Sequence, residues 1–405
     1  MGSHANRERK MCIRDSLYNQ LEAGSTGGNI AIPGGTGTLT EQHLLALIEQ
    51  KAKEILGSAV DAQRSFGFQA GENYYSPISY WWADYYNRDK PQGSKWAKTL
   101  KFGETLGIVI LNKSSGDWGT EVDQDFLKQG KLAEAAGAKL VAFYIKTRFG
   151  ANSKYATEQY RARIQKSLNV PMEHITKYTQ EYILQTAKNI IAWYKGQTKI
   201  VNIAIFLDEV VNGWDAEQQA IIPFYIELYR LLREALGADV PIIINPGSNT
   251  RLEMMNACDI AVTYESDATK YLARTHQEIH PDHYQGLPSW RFWHIVHGIT
   301  KENVDKVCEK ADDIDVGHMY ITDQTFAVGT GSEDTPQEDP YDDPPSPWVV
   351  PKIRSWIKGC LLYTSQTSDG QQTHTCSRGF STTSTRKQRG KNSEKTNTSP
   401  YRSNT

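Results

Sequence analysis

Val201-Asn202-Ile203-Ala204-Ile205-Phe206-Leu207-Asp208-Glu209-Val210-Val211 is an apolar, β-branched run with two adjacent carboxylates near its end. Gly196 precedes it and an amphipathic helical pattern follows, so it reads as a strand buried on both faces of a parallel sheet. An unpaired carboxylate in the middle of such a strand would cost several kcal/mol or give up its charge. Asp208 and Glu209 are therefore expected at the carboxyl end, where α/β folds place their chemistry. A solvated strand end or an ion-paired structural acid is the plain alternative.

Outward from this run, apolar strand candidates alternate with helical patterns. The strands are expected at Asn73 to Tyr80, Leu106 to Leu111, Lys139 to Ile145, Ile200 to Leu207, Val240 to Ile244, Ile260 to Tyr264, Arg291 to Val296 and Gly317 to Ile321. Between them, a helix over Glu121 to Ala136 stops at Gly137. A second, over Ala216 to Leu236, sets Ile221, Tyr225, Leu228, Leu232 and Ala235 on one face before Gly237. Eight βα units predict an α/β fold, a (β/α)8 TIM barrel, for which 405 residues are enough with extensions to spare.

With 45 basic and 47 acidic residues the net charge is -2, which supports neither a nucleic-acid partner nor a basic membrane-binding face. Five cysteines, odd in number and without CxxC spacing, indicate neither a disulfide framework nor a zinc site. No apolar run approaches the roughly 18 residues of a membrane span, and no secretion signal is visible. No cofactor is implied.

Four segments are expected. Residues 1–28 form a polar, Gly-rich leader, disordered or an adapter remnant, containing Met11 to Ser16 (MCIRDS). Residues 29–65 form a helical extension in which Thr38 and Glu41 make a capping-box pattern and Leu44, Leu45, Ile48, Ala52, Ile55 and Leu56 line one face. That helix either covers the barrel or forms an oligomeric stalk, and a stalk before an enzyme domain resembles phage minor tail proteins. Residues 66–360 form the barrel. Residues 361–405 hold 18 Ser or Thr and open with LLYTS, another adapter-like remnant. Their composition predicts a disordered tail.

Polar residues gather just past the strand ends. They are Asn112 to Trp118 after strand two, Lys146 to Gly150 after strand three, Asp208-Glu209 after strand four and Asn245-Pro246-Gly247 after strand five. Glu265 closes strand six, His294 and His297 strand seven, and Thr322-Asp323 strand eight. The order of "FLDE" at Phe206 to Glu209, "INPG" at Ile244 to Gly247, "TYES" at Thr263 to Ser266, "HIVHG" at His294 to Gly298 and "PYDDPPSPW" at Pro340 to Trp348 resembles the spherulin-4 (spherulation-specific family 4) barrel glycoside hydrolases. That family includes enzymes cutting α-1,4-linked N-acetylgalactosamine in galactosaminogalactan. The resemblance spans roughly residues 70 to 350 and implies that Asp208, Glu209 and Glu265 hold the family's catalytic acid positions. It departs from the family after strand two, where Asn112-Lys113-Ser114-Ser115-Gly116-Asp117-Trp118 replaces an "NPxxGPG"-like turn.

Glycosidic cleavage passes through an oxocarbenium-like state and ordinarily takes two carboxyl groups. Glu265, preceded by the apolar Ile260 to Tyr264, suits the acid, and Asp208 suits the nucleophile. On a regular strand Glu209 would face away from Asp208, and so is expected to orient substrate or tune its neighbour's charge. Substrate contacts are expected from Asn112, Tyr144, Lys146, Asn245, Asp323 and, by stacking, Trp118. Trp81 and Trp82 are either further stacking platforms or core. His294 and His297 either bind sugar hydroxyls or are core histidines, and a metal site is not expected. The expected partner is a polysaccharide, with self-association through the N-terminal helix, in an extracellular or virion-associated setting. The rival class is a non-catalytic carbohydrate-binding or structural module on the same barrel.

Overall fold

The computed structural model describes residues 65–83, 94–196, 200–326 and 339–359, together with two separate strand pairs toward the termini. Its centre is a ring of eight parallel strands: β1 Tyr74–Tyr75, β2 Ile108–Leu111, β3 Leu140–Lys146, β4 Ile203–Asp208, β5 Ile242–Ile244, β6 Ile260–Asp267, β7 Phe292–His297 and β8 His318–Ile321. From β2 to β8 each strand pairs with the next, and β8 pairs with β1. Tyr75 bridges Leu106 just before β2, which closes the ring. The described residues form a (β/α)8 barrel in which each of the eight strands has a neighbour on both sides.

Each strand falls where the alternation of apolar runs predicts one, with bounds shifted by a few residues, and in the first and sixth the physical reason is visible. The first ladder stops at Tyr75 because Pro77 has no N–H to offer and serine side chains take over its pairing with β2. Ser76 Oγ accepts from Ile108 N at 3.1 Å, and Ser79 Oγ accepts from Ile110 N at 2.8 Å. The sixth strand runs three residues past Tyr264. Glu265, Ser266 and Asp267 stay in register with Ile295, Val296 and His297 beyond a bulge between Val262 and Tyr264. A bulge re-aims the side chains that follow it.

The helix after β2 spans Gln124–Ala136, three residues shorter than expected at its start. Asp123 caps it by accepting from the N–H groups of Asp125 and Phe126, and Gly137 ends it at φ +108°. The helix Ala216–Leu236 is capped by Asp215 and buries Ile221, Tyr225, Leu228 and Leu232 against the sheet. Outside the barrel, Ile30–Ala31 pairs with Thr38–Leu39 within the expected helical extension, whose apolar helix lies outside the described residues. Within the segment expected to be a disordered tail, Leu361–Gln366 pairs antiparallel with Gln372–Ser377. Such a ladder is made by backbone groups and needs no core, so composition did not exclude it. An isolated hairpin is marginal by itself. Among the described residues no helix is long and apolar enough to cross a membrane.

Candidate active site

At the carboxyl ends of β4, β5 and β6, Asp208, Asn245 and Glu265 converge. The Asn245 amide nitrogen donates to Asp208 Oδ1 at 2.9 Å and to Glu265 Oε2 at 3.0 Å. These two carboxylate oxygens therefore lie within about 5.9 Å of each other, and about 5.1 Å if the two N–H bonds diverge by 120°. The amide cannot be turned around, because its oxygen accepts from Gly247 N at 3.0 Å. Gly247 makes that turn at φ +66°, in the left-handed region that favours glycine. Its carbonyl accepts from Glu265 N at 3.0 Å, tying the β5 loop to the bulged strand. The other two carboxylate oxygens accept from phenols: Tyr144 donates to Asp208 Oδ2 at 2.5 Å and Tyr341 to Glu265 Oε1 at 2.6 Å.

Burial pushes both carboxyls above the ordinary range, against the hydrogen bonds that favour their charged forms. They differ in the charges around them. Lys146 favours ionised Asp208, whereas the negative charges of Asp208 and Asp339 oppose ionisation of Glu265. These causes favour the charge on Asp208 and oppose it on Glu265. Burial, reinforced by the carboxylates, raises the phenols of Tyr80, Tyr144 and Tyr341, so all three remain protonated at neutral pH.

Glu209 is turned away from this pair. The strand ends because Glu209 adopts φ +57°, and its carboxylate meets Arg148 Nη1 at 2.9 and 3.2 Å, with Lys146 Nζ at 3.8 Å. The side chains of Arg148 and Glu209 are 8% and 15% exposed, so this is a largely buried ion pair. Even so, burial outweighs the two cations and raises the Glu209 carboxyl. Arg148 and Phe149 also have positive φ, at +51° and +54°. The Glu209 carbonyl accepts from Phe149 N and Thr147 Oγ1. Three strained residues, of order 1–2 kcal/mol each, are held together beside the carboxylate pair. Concentrated strain of this kind is common at functional sites.

The other expected site residues separate into two groups. Lys146 sits opposite Asp208 at the end of β3, and Asn112 follows β2 with a buried Oδ1 that has no partner among the described residues. His297 reaches the carboxylate side. With Glu265, Lys270, Thr325 and Phe326 it lines a cleft of about 420 Å³. Trp118, by contrast, is buried. Positive φ at Ser114, Ser115 and Gly116 reverses the chain, and the indole packs in the core against Phe126, Phe143 and Tyr194. Its Nε1 donates to the Tyr144 carbonyl at 2.8 Å. Gly116 permits this, since a Cβ there would meet the Tyr144 ring at 3.1 Å.

His294 also leaves the site, being fully buried with Nδ1 2.9 Å from the hydroxyl of Tyr271 on the helix after β6. Asp323 holds the chain itself: it accepts from Ser346 N and from Trp348 Nε1, both at 3.0 Å, fastening the segment that carries Tyr341. Trp81 is core and donates to the Tyr341 carbonyl at 2.7 Å, while Trp82 is half exposed. Among the described residues no group of three or more ligating side chains is placed to hold a metal ion.

Tyr341 and Tyr80 are the site neighbours that strand-end reasoning missed, and Arg148, in the stretch after strand three, was given no role of its own. Tyr341 lies 76 residues beyond Glu265 in a segment without periodicity; its one signal is membership of the PYDDPPSPW motif. Phe326, half exposed in the cleft beside Glu265, was missed as well.

A sequence model of spherulation-specific family 4 (Spherulin4) matches residues 90–348. No curated protein matches the chain. Among solved structures, that of Aspergillus clavatus Sph3 in complex with GalNAc is 13% identical, covering 73% of this chain and 100% of its own, at a TM-score of 0.43. A GH5-4 broad specificity endoglucanase from Clostridium acetobutylicum is 12% identical, covering 71% and 96%, at 0.39. A Bifidobacterium dentium beta-glucuronidase complexed with coumarin-3-O-glucuronide is 10% identical, covering 71% and 46%, at 0.40.

Proposed function

The chain belongs to spherulation-specific family 4, and from that premise and its paired carboxylates we propose that it is a glycoside hydrolase acting on a polysaccharide. The observation that carries this reading is the single Asn245 amide joined to both Asp208 and Glu265. Retaining glycosidases hold their carboxyl groups roughly 5–5.5 Å apart, whereas inverting ones leave roughly 6.5–9.5 Å for a water. The span set by Asn245 favours retention. Glu265 protonates the departing glycosidic oxygen while Asp208 attacks the anomeric carbon from the opposite face, giving a glycosyl ester on Asp208. Glu265, now a carboxylate, takes a proton from the water that hydrolyses it.

Neighbours support the division of labour. Tyr144 and Lys146 favour the anionic nucleophile, and Tyr341 holds the acid by one oxygen while the other faces Asn245. Glu209 acts at one remove, through Arg148, Lys146 and the loop they shape. An α-1,4-linked galactosamine or N-acetylgalactosamine polymer is the proposed substrate, carried over from the family resemblance. Release of reducing ends from such polymers, compared across a panel of amino-sugar and neutral glycans, tests the proposal. Binding of oligosaccharide with no cleavage would leave a non-catalytic module instead.

A further inference from the structure

A second cleft, of about 260 Å³, lies where the loop after β2 meets the helix Gln180–Ile190 and the π-turn Ile191–Gly196 that prolongs it. Single π-turns recur at functional sites. Trp193 and Tyr182 supply aromatic surface, and Gln185 and Asn189 supply amides. Gln185 Nε2 donates to Asn189 Oδ1 at 2.8 Å. Beyond that bond the two amides together still carry an acceptor and several donors for a hydroxyl. Asp117 on one wall and Lys177 on the other are paired at 2.8 Å, so the cleft offers both signs and no net charge.

Both walls lead to the carboxylate site. From the loop, Trp118 holds the Tyr144 carbonyl and Tyr144 holds Asp208. From the other wall, Tyr178, next to Lys177, lies under the Arg148 guanidinium at 5.4 Å, and Arg148 holds Glu209. The cleft contains neither carboxylate of the pair and is joined to it through these two runs of contacts. Pockets that enclose a whole small ligand run to roughly 300–1,000 Å³, and this one falls below that range. It suits one ring of a longer chain. Aromatic faces with amide and charged edges match a pyranose, apolar on its faces and hydroxylated around its rim. The neutralised Asp117 gives no reason to prefer a cationic sugar.

We propose that this cleft is a remote subsite that binds one neutral pyranose of an extended polysaccharide whose scissile bond lies at Asp208 and Glu265. This rests on the glycosidase reading above. The test is the double variant Gln185→Ala/Asn189→Ala, made on the outer side of the helix, where Gln185 is exposed and Asn189 half-buried and alanine favours the helix. In an Asp208→Asn background, calorimetric titration compares trimers and octamers of α-linked N-acetylgalactosamine, galactose and glucose. One series should bind about tenfold tighter as octamer, and the double variant should abolish that preference. In the active protein the same variant should lower kcat/KM on the octamer about tenfold and leave an activated aryl trisaccharide unchanged. An octamer preference that survives the double variant, or no binding in any series, overturns the subsite. If no glycan is cleaved but the length preference is present and disappears with the two amides, the glycosidase reading fails and the binding cleft stands.

Discussion

Glu209→Gln separates a structural acid from a chemical one. Glu209 neutralises Arg148 through two contacts to one guanidinium nitrogen, with both side chains largely buried. Removing one partner of a buried pair costs about 3–5 kcal/mol, because the remaining charge is stranded. Glutamine keeps one acceptor oxygen for Arg148, the Arg148 ring contact with Tyr178 persists, and the desolvation cost that raises the Glu209 carboxyl is removed, so the stranded Arg148 charge leaves a net loss of about 2–3 kcal/mol, below the full cost of a broken pair. Unfolding a barrel of about 290 residues releases about 0.6 kcal/mol per kelvin at about 2.1 cal/mol/K per residue. The Glu209→Gln variant should then melt about 3–5 °C below the wild type in differential scanning calorimetry. Its activity should fall on every substrate alike, whatever the leaving group. A melting temperature unchanged within about 1 °C, together with turnover lost as completely as in Asp208→Asn, would refute this reasoning and make Glu209 the nucleophile.

Three further outcomes are expected. Because burial raises the Asp208 carboxyl, its charged form opposes folding above its folded pKa, and wild-type stability falls as pH rises through the interval from the unfolded to the folded value. Asp208→Asn should therefore melt above wild type at pH 7–8, with the difference vanishing below about pH 3, where the carboxyl is protonated folded or unfolded; melts across that range, with no crossover, check it. Tyr341→Phe deletes a hydrogen bond that favours ionised Glu265, so the basic limb of the pH–rate profile should move to higher pH, and a limb that stays or moves down would assign Tyr341 a packing role only. Truncation after Gly359 should leave melting temperature and activity nearly unchanged, since the barrel closes without the later residues; a large loss would show that the hairpin beyond it docks.

Much of the fold is written in the chain as period and punctuation. The β4 run is apolar on both faces and breaks into carboxylates where the barrel opens, which is why Asp208 is legible by position alone. Glu265 is legible for the same reason, although the bulge that aims it is not, since Val262 to Ser266 carries no glycine or other mark of a bulge. What failed to show is set by backbone signs and long-range closure. Ser114 and Ser115 adopt positive φ, which serine rarely does, and this alone converts Trp118 from an expected platform into core. Asp323 looked like one more mouth carboxylate, and its real task of fastening the segment around Ser346 and Trp348 depends on where a non-periodic segment returns. Tyr341 arrives by that same return. The ion pair of Glu209 follows from the φ +57° that ends its strand, which strand periodicity treats as extended.

The central claim, that Asp208 is the nucleophile and Glu265 the acid, is met most directly by rapid-mixing release of a phenol from an aryl α-glycoside of a galactosamine oligosaccharide. A good leaving group needs little protonation. Glu265→Gln should give a burst approaching one phenol per enzyme followed by slow turnover, and Asp208→Asn should give no burst, with its rate reduced by several orders of magnitude. A burst from Asp208→Asn and none from Glu265→Gln would exchange the two roles, and ordinary turnover in both variants would place the chemistry away from this pair.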